Sequence, residues 1–284
     1  MSERAQTSPI RDPAWLKWTL VGVALSYVLV VLLAPLLAVF IEALSKGEAA
    51  YFAAFQEPAA LSAIQLTLLV TAIAVPLNTV FGLAAAWAIT KFDFFGKSFL
   101  TTLIDLPLSV SPVISGLVYV LLYSIHGWFG PFFIDRGIEI IFAVPGIVLA
   151  TTLVTFPYVA RELIPLMQQQ GTDEEAAAAT LGAGPWRTFF LVTLPNMKWA
   201  LTFGVLLCTA RAMGEFGAVS VVSGHIRGLT STMPLHVEIL YNEYNFVAAF
   251  AIASLLALFA LVTLGVKAVL ESRFEAELAA AERT

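Results

Sequence analysis

The sequence predicts an all-α polytopic membrane protein with six transmembrane helices, and three observations lead to this fold class. First, 59% of the 284 residues are hydrophobic and only 12% are charged, which is more apolar than a soluble domain requires. Second, the mean hydropathy is +0.87. Third, six apolar stretches reach the length of about 20 residues that crosses a hydrocarbon core. Because backbone groups in lipid must be satisfied within the segment, each stretch is predicted to be a helix.

The six predicted spans organise the chain into an arm, a membrane domain and a tail. Residues 1–17 form a mixed polar arm, and the apolar run that follows is too long for the core of a signal peptide, so we interpret it as an uncleaved span. The membrane domain covers residues 18–270 and includes a polar insert at 167–198, and residues 271–284 form the tail. The predicted spans are 18–44, 61–89, 99–123, 140–166, 199–223 and 246–270.

The distribution of lysine and arginine predicts the orientation of these spans. With the N-terminus inside, the basic residues of the inner segments outnumber those of the outer segments, which places both termini and the insert in the cytoplasm. The inner set is Arg4, Arg11, Lys17, Lys91, Lys97, Arg161, Arg187, Lys198, Lys267, Arg273 and Arg283, and the outer set is Lys46, Arg136 and Arg227.

The insert between spans four and five begins with a helix-start signal. Its sequence, residues 171–199, is GTDEEAAAATLGAGPWRTFFLVTLPNMKW. Thr172 followed three residues later by Glu175 has the spacing of a capping box. The alanine run continues a helix with high propensity, and Gly182 is typical of a helix end.

A second short helix is predicted to follow the glycine. Pro185 suits a first helical position, and Pro195 pushes the residue before it out of the helical region, so the helix is expected to end there. Two short helices joined by a glycine hinge present a compact knob at the cytoplasmic surface, on which another protein can dock. The alternative is a surface loop with incidental helices.

The composition gives little reason to expect a metal site, a disulfide or a nucleic-acid partner. Cys208 is the only cysteine, which excludes an intrachain disulfide, and the net charge of -5 gives no reason to expect a nucleic-acid partner. Three scattered histidines match no metal-ligand spacing, and isolated surface or interface positions are the simpler interpretation. They are His126, His225 and His236.

An ATP-binding loop is also absent from the sequence. Residues 95–98 read FGKS, but a complete phosphate-binding motif requires glycine where Lys91 stands. We interpret Lys91 and Lys97 as anchors on the positive inner side. A membrane enzyme would require a nucleophile or metal constellation, and the sequence offers neither.

The segment EAAAATLGAGPWRTFFLVTLP resembles the EAA loop of ATP-binding-cassette (ABC) importer permeases. In that family a Glu-Ala-Ala triplet precedes a glycine, and an apolar residue and a Leu-Pro pair follow. The acid departs from the pattern, since Ala176 stands at the glutamate position and Glu175 lies one residue earlier. Capping of the helix is an alternative to an ionic contact with the ATPase for Glu175. The resemblance implies the type I ABC importer permease fold and coupling to an ATPase through Glu175, Ala177, Ala178, Gly182, Val192, Leu194 and Pro195.

Two further stretches resemble the paired permeases of sulfate/thiosulfate importers, the W-type subunit more than the T-type. They are RAMGEFGAVSVVSGHIRG at residues 211–228 and DLPLSVSPVISGLVY at 105–119. The resemblance implies a multi-pass subunit of the bacterial inner membrane that works with a T-type permease, an A-type ATPase dimer and an external sulfate-binding protein. ATP and magnesium would then be held by the ATPase, and this chain would need no cofactor. A molybdate-type permease and, less favoured, a passive anion channel are the alternatives.

A pathway for sulfate requires hydrogen-bond donors, because the dianion has no proton to donate at neutral pH. Hydroxyls and an amide recur beside prolines, where unpaired backbone amides are also expected. For each side chain the alternative is a hydrogen bond to its own helix. The pathway candidates are Asn78, Ser109, Ser111, Ser115, Ser220 and Ser223.

Arg211 and Glu215 are the charges that lie deepest in a predicted span. Their i, i+4 spacing places them on one helix face, where they can neutralise each other. Ionisable groups within a span are functional candidates because they are costly to place in lipid. We favour a structural ion pair over an anion site, since an arginine already paired with a carboxylate offers sulfate little net charge.

Overall fold

The computed structural model describes the backbone of residues 13–281, and the described residues form helices joined by turns. The arm before residue 13, with Arg4 and Arg11, and the last three residues, with Arg283, lie outside the described range. The helices are α1 (Ala14–Tyr27), α2 (Ala34–Ala43), α3 (Glu48–Gln56), α4 (Pro58–Lys91), α5 (Lys97–Ser109), α6 (Pro112–Tyr123), α7 (Gly130–Ile134), α8 (Val144–Gln170), α9 (Asp173–Thr180), α10 (Pro185–Thr188), α11 (Leu194–Asn196), α12 (Lys198–Met213), α13 (Gly217–Val222), α14 (Met233–Asn242) and α15 (Phe246–Ala281).

Four continuous helical stretches are long and apolar enough to cross a membrane within the described range, and two bent helix pairs bring the number up to six. The continuous ones are α4, α8, α15 and the stretch from α1 to α2, whose halves are joined by a π-helical segment at Val28–Leu33. The all-helical class predicted from the sequence is therefore confirmed.

The third predicted span, 99–123, is not one helix. It consists of α5 and α6, which meet at an angle of 107°. Val110 and Ser111 between them are non-helical, with ψ values of 138° and 133°. Pro112 accounts for Ser111, because a proline disfavours the helical conformation of the residue before it. The sequence contains this signal, but hydropathy alone joins the two helices into one span.

The fifth predicted span, 199–223, is also interrupted. Helix α12 ends at Met213, Gly214 is its C-cap, and a separate short helix, α13, begins at Gly217. The fourth span begins at Val144 rather than at residue 140, because Phe142 has a φ of +61° that no helix accommodates.

The centre of the bundle is a crossing of α4, α8 and α12 around Val159. A Cβ atom placed on Gly82 would lie 2.9 Å from the Val159 Cβ, and one placed on Gly204 would lie 3.0 Å from the Val159 Cα. Val159 is fully buried. The two glycines thus allow helices on either side of α8 to approach its backbone, as small residues do in membrane bundles.

Helix α1 lies outside this core. Its apolar side chains are exposed, including Leu20 and Leu25, whereas α2 packs against α15. Trp15 and Trp18 stand at its start, a position typical of the membrane interface. This exposed surface suits lipid, which the sequence predicted as a partner.

Helix α14 packs at the end of α4 that lies away from α9. The Met233 amide donates to the Thr67 hydroxyl at 2.8 Å near the start of α4, whereas Lys91, 24 residues later, contacts α9. At 1.5 Å per residue these contacts lie about 36 Å apart along the helix, roughly a membrane thickness. The α9 end and the α14 end are therefore opposite ends of the bundle.

We predict that Gly204→Val destabilises the protein, because its Cβ would meet the Val159 backbone and overpacking of a core costs about 1–3 kcal/mol. Thermal unfolding of the purified chain in detergent should show a lower midpoint. Gly265→Val is the matched control, since a Cβ there meets nothing within 4 Å. Equal midpoints for the two variants would contradict the central role of this crossing.

Candidate functional site

The polar insert folds as two helical pieces with a glycine between them. Helix α9 begins at Asp173 with Thr172 as N-cap, and the second piece runs from Pro185 to Asn196. We call residues 171–196 the docking segment. The second piece meets α12 at an angle of 70°, so it is joined directly to the bundle core.

Gly182 provides the turn between the two pieces. Its φ is +84°, a left-handed conformation that favours glycine, while nothing crowds the place of its missing Cβ. Its amide donates to the Ala179 carbonyl at 2.9 Å, and the Ala183 amide donates to the Ala178 carbonyl at 3.0 Å. These bonds close the end of α9 in the manner of a glycine cap.

The predicted capping box does not form. The Thr172 side chain makes no cap hydrogen bond, and the Glu175 carboxylate turns away from the helix start. Both of its oxygens lie 2.8 Å from the Lys91 ammonium, and Thr193 Oγ1 donates to one of them at 3.1 Å. A charged donor competes successfully with a backbone amide for the carboxylate, since charge-assisted hydrogen bonds are the stronger.

The second helix ends within residues 193–196, as predicted, since its last residue is Asn196, but the expected cause is wrong: Leu194, before Pro195, keeps helical angles, with φ −65° and ψ −44°. Residues Phe189–Thr193 form a π-helical turn, and the helical backbone continues through Pro195 to Asn196. The wider turn accommodates a residue that lacks an N–H, because its i→i+5 pattern shifts the hydrogen bonds around the proline. The bend falls later, at Met197.

The outward surface of the docking segment is apolar. Leu181 is 89% exposed, and Leu191 and Trp186 are also largely exposed. A shallow depression of about 230 Å³ lies beside Leu181 and is lined by Ala178, Leu181, Ala183, Arg187, Thr188, Leu191 and Val192. Of the other residues of the EAA resemblance, Ala177, Gly182 and Pro195 are exposed, and Leu194 is half-buried.

Sequence reasoning missed the residues that hold the docking segment to the bundle. Trp87 of α4 lies 4.8 Å from Phe189 between ring centroids, and Lys91 ends the same helix. Thr193, within the segment, is buried and donates to Glu175. The Ala-rich pattern of α9 gives no sign of these contacts, because they join residues far apart in the chain.

The pathway candidates fall into separate groups. Ser109 and Ser111 are exposed at the bend between α5 and α6, and Ser115 is buried. Ser220 lies on α13, which packs closely on α6, since a Cβ on Gly116 would lie 2.6 Å from the Ala218 carbonyl oxygen. The structure thus brings the hydroxyls of Ser111, Ser115 and Ser220 onto one helix pair. Ser115 and Ser220 each donate to a carbonyl of their own helix region.

Asn78 and Ser223 lie apart from this pair. Asn78 is fully buried between α4, α8 and α12, where its amide donates to Thr155 Oγ1 at 2.7 Å and lies 3.7 Å from the Cys208 sulfur. Ser223 is buried after α13, and its hydroxyl accepts from the His225 amide at 3.2 Å. Both side chains have partners within the chain.

Arg211 and Glu215 form an ion pair at the break between α12 and α13. Glu215 is only 1% exposed and also accepts a hydrogen bond from the Ala218 amide at 2.9 Å. Arg211 is 30% exposed. The carboxylate therefore satisfies a cation and a backbone group that the helix break leaves without an intrahelical partner.

The α14 end of the bundle contains a second set of charges. Arg227 and Glu243 form an exposed ion pair, and the hydrogen bond from Arg227 lowers the pKa of the Glu243 carboxyl. The sequence indicated a surface or interface position for His236, but the residue is fully buried in α14. Burial lowers the pKa of its imidazole, which is therefore neutral at pH 7.

The fold is that of an ABC importer permease. A crystal structure of a bacterial ABC transporter involved in the import of the acidic polysaccharide alginate matches with a TM-score of 0.73 and 16% identity, over 91% of this chain and 94% of that one. Residues 78–276 match the family described as binding-protein-dependent transport system inner membrane component, and the chain belongs to this family.

Several curated relatives match nearly the whole chain. The sulfate transport system permease protein CysW of Synechocystis is 51% identical, with 90% of this chain and 93% of that protein covered. CysW of Escherichia coli K12 is 48% identical over 92% of this chain and 90% of that protein. The sulfate transport system permease protein CysT of the same strain is 34% identical over 89% and 91%.

We predict that Arg211→Met and Glu215→Gln each lower assembly, and that the double change recovers much of it. Removing one partner of a buried pair strands the other charge, at a cost of about 3–5 kcal/mol. Arg211→Met should be the more harmful change, because it strands a carboxylate that is 1% exposed, whereas Arg211 is 30% exposed and can be hydrated. The yield of monodisperse protein in mild detergent measures this.

A different result would reassign the arginine. If Arg211→Met assembled fully but lost transport, and Glu215→Gln in the same chain restored nothing, Arg211 would belong to the anion pathway.

Proposed function

We propose that this chain is the CysW-type permease subunit of an ATP-driven importer of sulfate and thiosulfate. It would form the translocation pathway together with a CysT-type permease and receive energy from a CysA-type ATPase dimer through the docking segment. The observation that carries the proposal is the exposed apolar knob at Leu181, held on a two-helix segment that runs directly into α12. Identities of 48–51% to proteins named as sulfate permeases support the substrate class.

A paired subunit follows from the same relatives. CysT of Escherichia coli is 34% identical over nine-tenths of both chains, as two subunits with one fold would be. The exposed apolar surfaces of α1, α5 and α6 provide area for such a partner as well as for lipid. A crystal structure of a bacterial alginate ABC transporter is in complex with a periplasmic protein bound to an alginate pentasaccharide, and by analogy we propose that a sulfate-binding protein docks on the α14 end of this chain.

The proposed orientation places the α9 end and both termini in the cytoplasm of a bacterium, with the chain in the inner membrane. Lys91, Lys97, Arg187 and Lys198 lie at or near the docking segment. This is the concentration of positive charge typical of the inner side. ATP and magnesium would bind to the ATPase, so this chain would serve as a non-catalytic subunit.

The mechanism we propose is alternating access driven from the docking segment. Closure of the ATPase dimer would move the segment, and the 70° joint at Met197 would pass this movement to α12. Helix α12 ends at the Arg211–Glu215 pair, and α13 beyond it carries Ser220 against α6. To donate to a passing sulfate, the Ser115 and Ser220 hydroxyls would have to leave the carbonyls to which they donate in this structure. The sulfate would therefore be held weakly, which suits a permease that must release its cargo.

We predict that Leu181→Asp leaves the chain inserted but removes its ATPase. The side chain is 89% exposed, so a charge there does not disturb the fold, whereas it would be desolvated under a docked partner. Co-purification of the ATPase with the tagged permease in mild detergent should fall sharply. Leu229→Asp, an exposed leucine at the α14 end, is the matched control. Full ATPase recovery with Leu181→Asp would remove the docking assignment.

We predict that sulfate and thiosulfate compete with each other for uptake, and that phosphate competes poorly. Phosphate carries a proton at neutral pH, and hydroxyls oriented to donate to a sulfate would present no well-placed acceptor to that proton. Uptake of radiolabelled sulfate into proteoliposomes containing the complete importer, with each anion in excess, measures this. Import of molybdate with sulfate ignored would make the chain a molybdate-type permease, and uptake without ATP would indicate a passive channel.

A further inference from the structure

The acid of the docking segment is bound within the chain rather than presented to a partner. Both oxygens of Glu175 lie 2.8 Å from the Lys91 ammonium, and the pair is mostly buried, with side-chain exposures of 22% and 11%. Thr193 Oγ1 donates a further hydrogen bond to one of these oxygens at 3.1 Å. A carboxylate held by two donors from its own chain has little capacity left for an ionic contact with another protein.

Lys91 joins three parts of the chain at this point. It is the last residue of α4, and its ammonium also donates to the carbonyl oxygen of Gly171, which follows α8. Through Glu175 it holds α9, and through Glu175 and Thr193 it reaches the second helical piece of the docking segment. The Trp87–Phe189 ring contact supports the same joint one helical turn earlier on α4.

We propose that Lys91 and Glu175 are positioning residues that transmit movement of the docking segment to α4. This inference rests on the proposed function, and it reassigns Glu175 from the contact with the ATPase to an internal strut. The basis is that the acid lies one residue before the glutamate position of the EAA pattern. A glutamate at position 176 would project from α9 about 100° further round the helix axis, away from Lys91. The ATPase then meets an apolar and small-residue surface, formed by Leu181 and the alanines.

The geometry makes α4 a suitable receiver. It is a 34-residue helix with Pro76 near its middle, and it packs along both α8 and α12. A proline in a helix interior removes one backbone hydrogen bond and permits bending. A pull on Lys91 is therefore passed to the bend and to Asn78 beside it, which bonds α8 through Thr155.

The test measures sulfate uptake per ATP hydrolysed by the complete importer in proteoliposomes. Whatever the yield, the assembled complexes of Lys91→Met and of Glu175→Gln should still hydrolyse ATP, but this ratio should fall by about tenfold, within the range of coupling between distant sites. The double variant should be no worse than either single one, because both remove the same contact. Lys91→Arg, which retains a charged donor for the carboxylate, should preserve the ratio.

Two further variants separate a strut from a merely structural contact. Thr193→Val removes one hydrogen bond to Glu175 at nearly constant volume and should lower the ratio in the same direction by a smaller factor. Lys97→Met removes a lysine of the same α4–α5 region whose partner is the exposed Asp93, and it should change nothing.

Several outcomes would overturn the proposal. One is a normal ratio of sulfate uptake to ATP hydrolysis in the assembled Lys91→Met and Glu175→Gln complexes, whether or not their yield is lower. A contact that serves only to stabilise the fold would change the yield and leave this ratio unchanged. Another is loss of ATPase co-purification in Glu175→Gln but not in Lys91→Met, which would return Glu175 to the interface. If the unaltered complex imported no sulfate, the proposed function itself would fail, so the two failures are distinguishable.

Discussion

The close crossing of α4, α8 and α12 is the constraint on which the rest of the structure depends. Lipid provides no hydrophobic drive for helices to associate, so the bundle relies on close packing and on hydrogen bonds between helices. Gly82 and Gly204 supply the close approach to Val159, and Asn78 supplies the hydrogen bond to Thr155. Because these contacts lie near the middle of long helices, they fix the three axes while the helix ends remain available for other contacts.

At both breaks in the predicted spans, another part of the chain packs against the irregular backbone. At the first break, Ser111 and Pro112 adjoin α13, since Gly217 lies against the Pro112 ring. At the second, Glu215 accepts the Ala218 amide and pairs with Arg211. Irregular backbone at membrane depth is tolerated only where its polar groups find such partners. The Arg211–Glu215 pair thus has a structural task that requires no substrate.

The docking segment is attached to all three core helices, since its first residue, Gly171, directly follows the end of α8. Its second piece continues into α12 across one bend, and Lys91 at the end of α4 holds Glu175. Any displacement of the segment is therefore shared by helices that converge on Val159. A compact core with attachments at one end is a physical basis for moving the bundle from outside the membrane, because packed helices shift as units rather than deform continuously.

The sequence by itself determined the features that local signals encode. Hydropathy over about 20 residues determined the all-helical class, the Ala-rich run with Gly182 determined the first helix of the insert, and i, i+4 spacing brought Arg211 to Glu215. Two local signals misled: the Glu175 carboxylate pairs with Lys91 instead of closing a capping box with Thr172, and the residue before Pro195 stays helical after a π-helical turn. Only the tertiary structure decided the Lys91–Glu175 contact, the burial of His236 and the bend angles. The contacting residues are 84 positions apart in the case of Lys91 and Glu175, and no local pattern records which distant helix will lie beside a side chain.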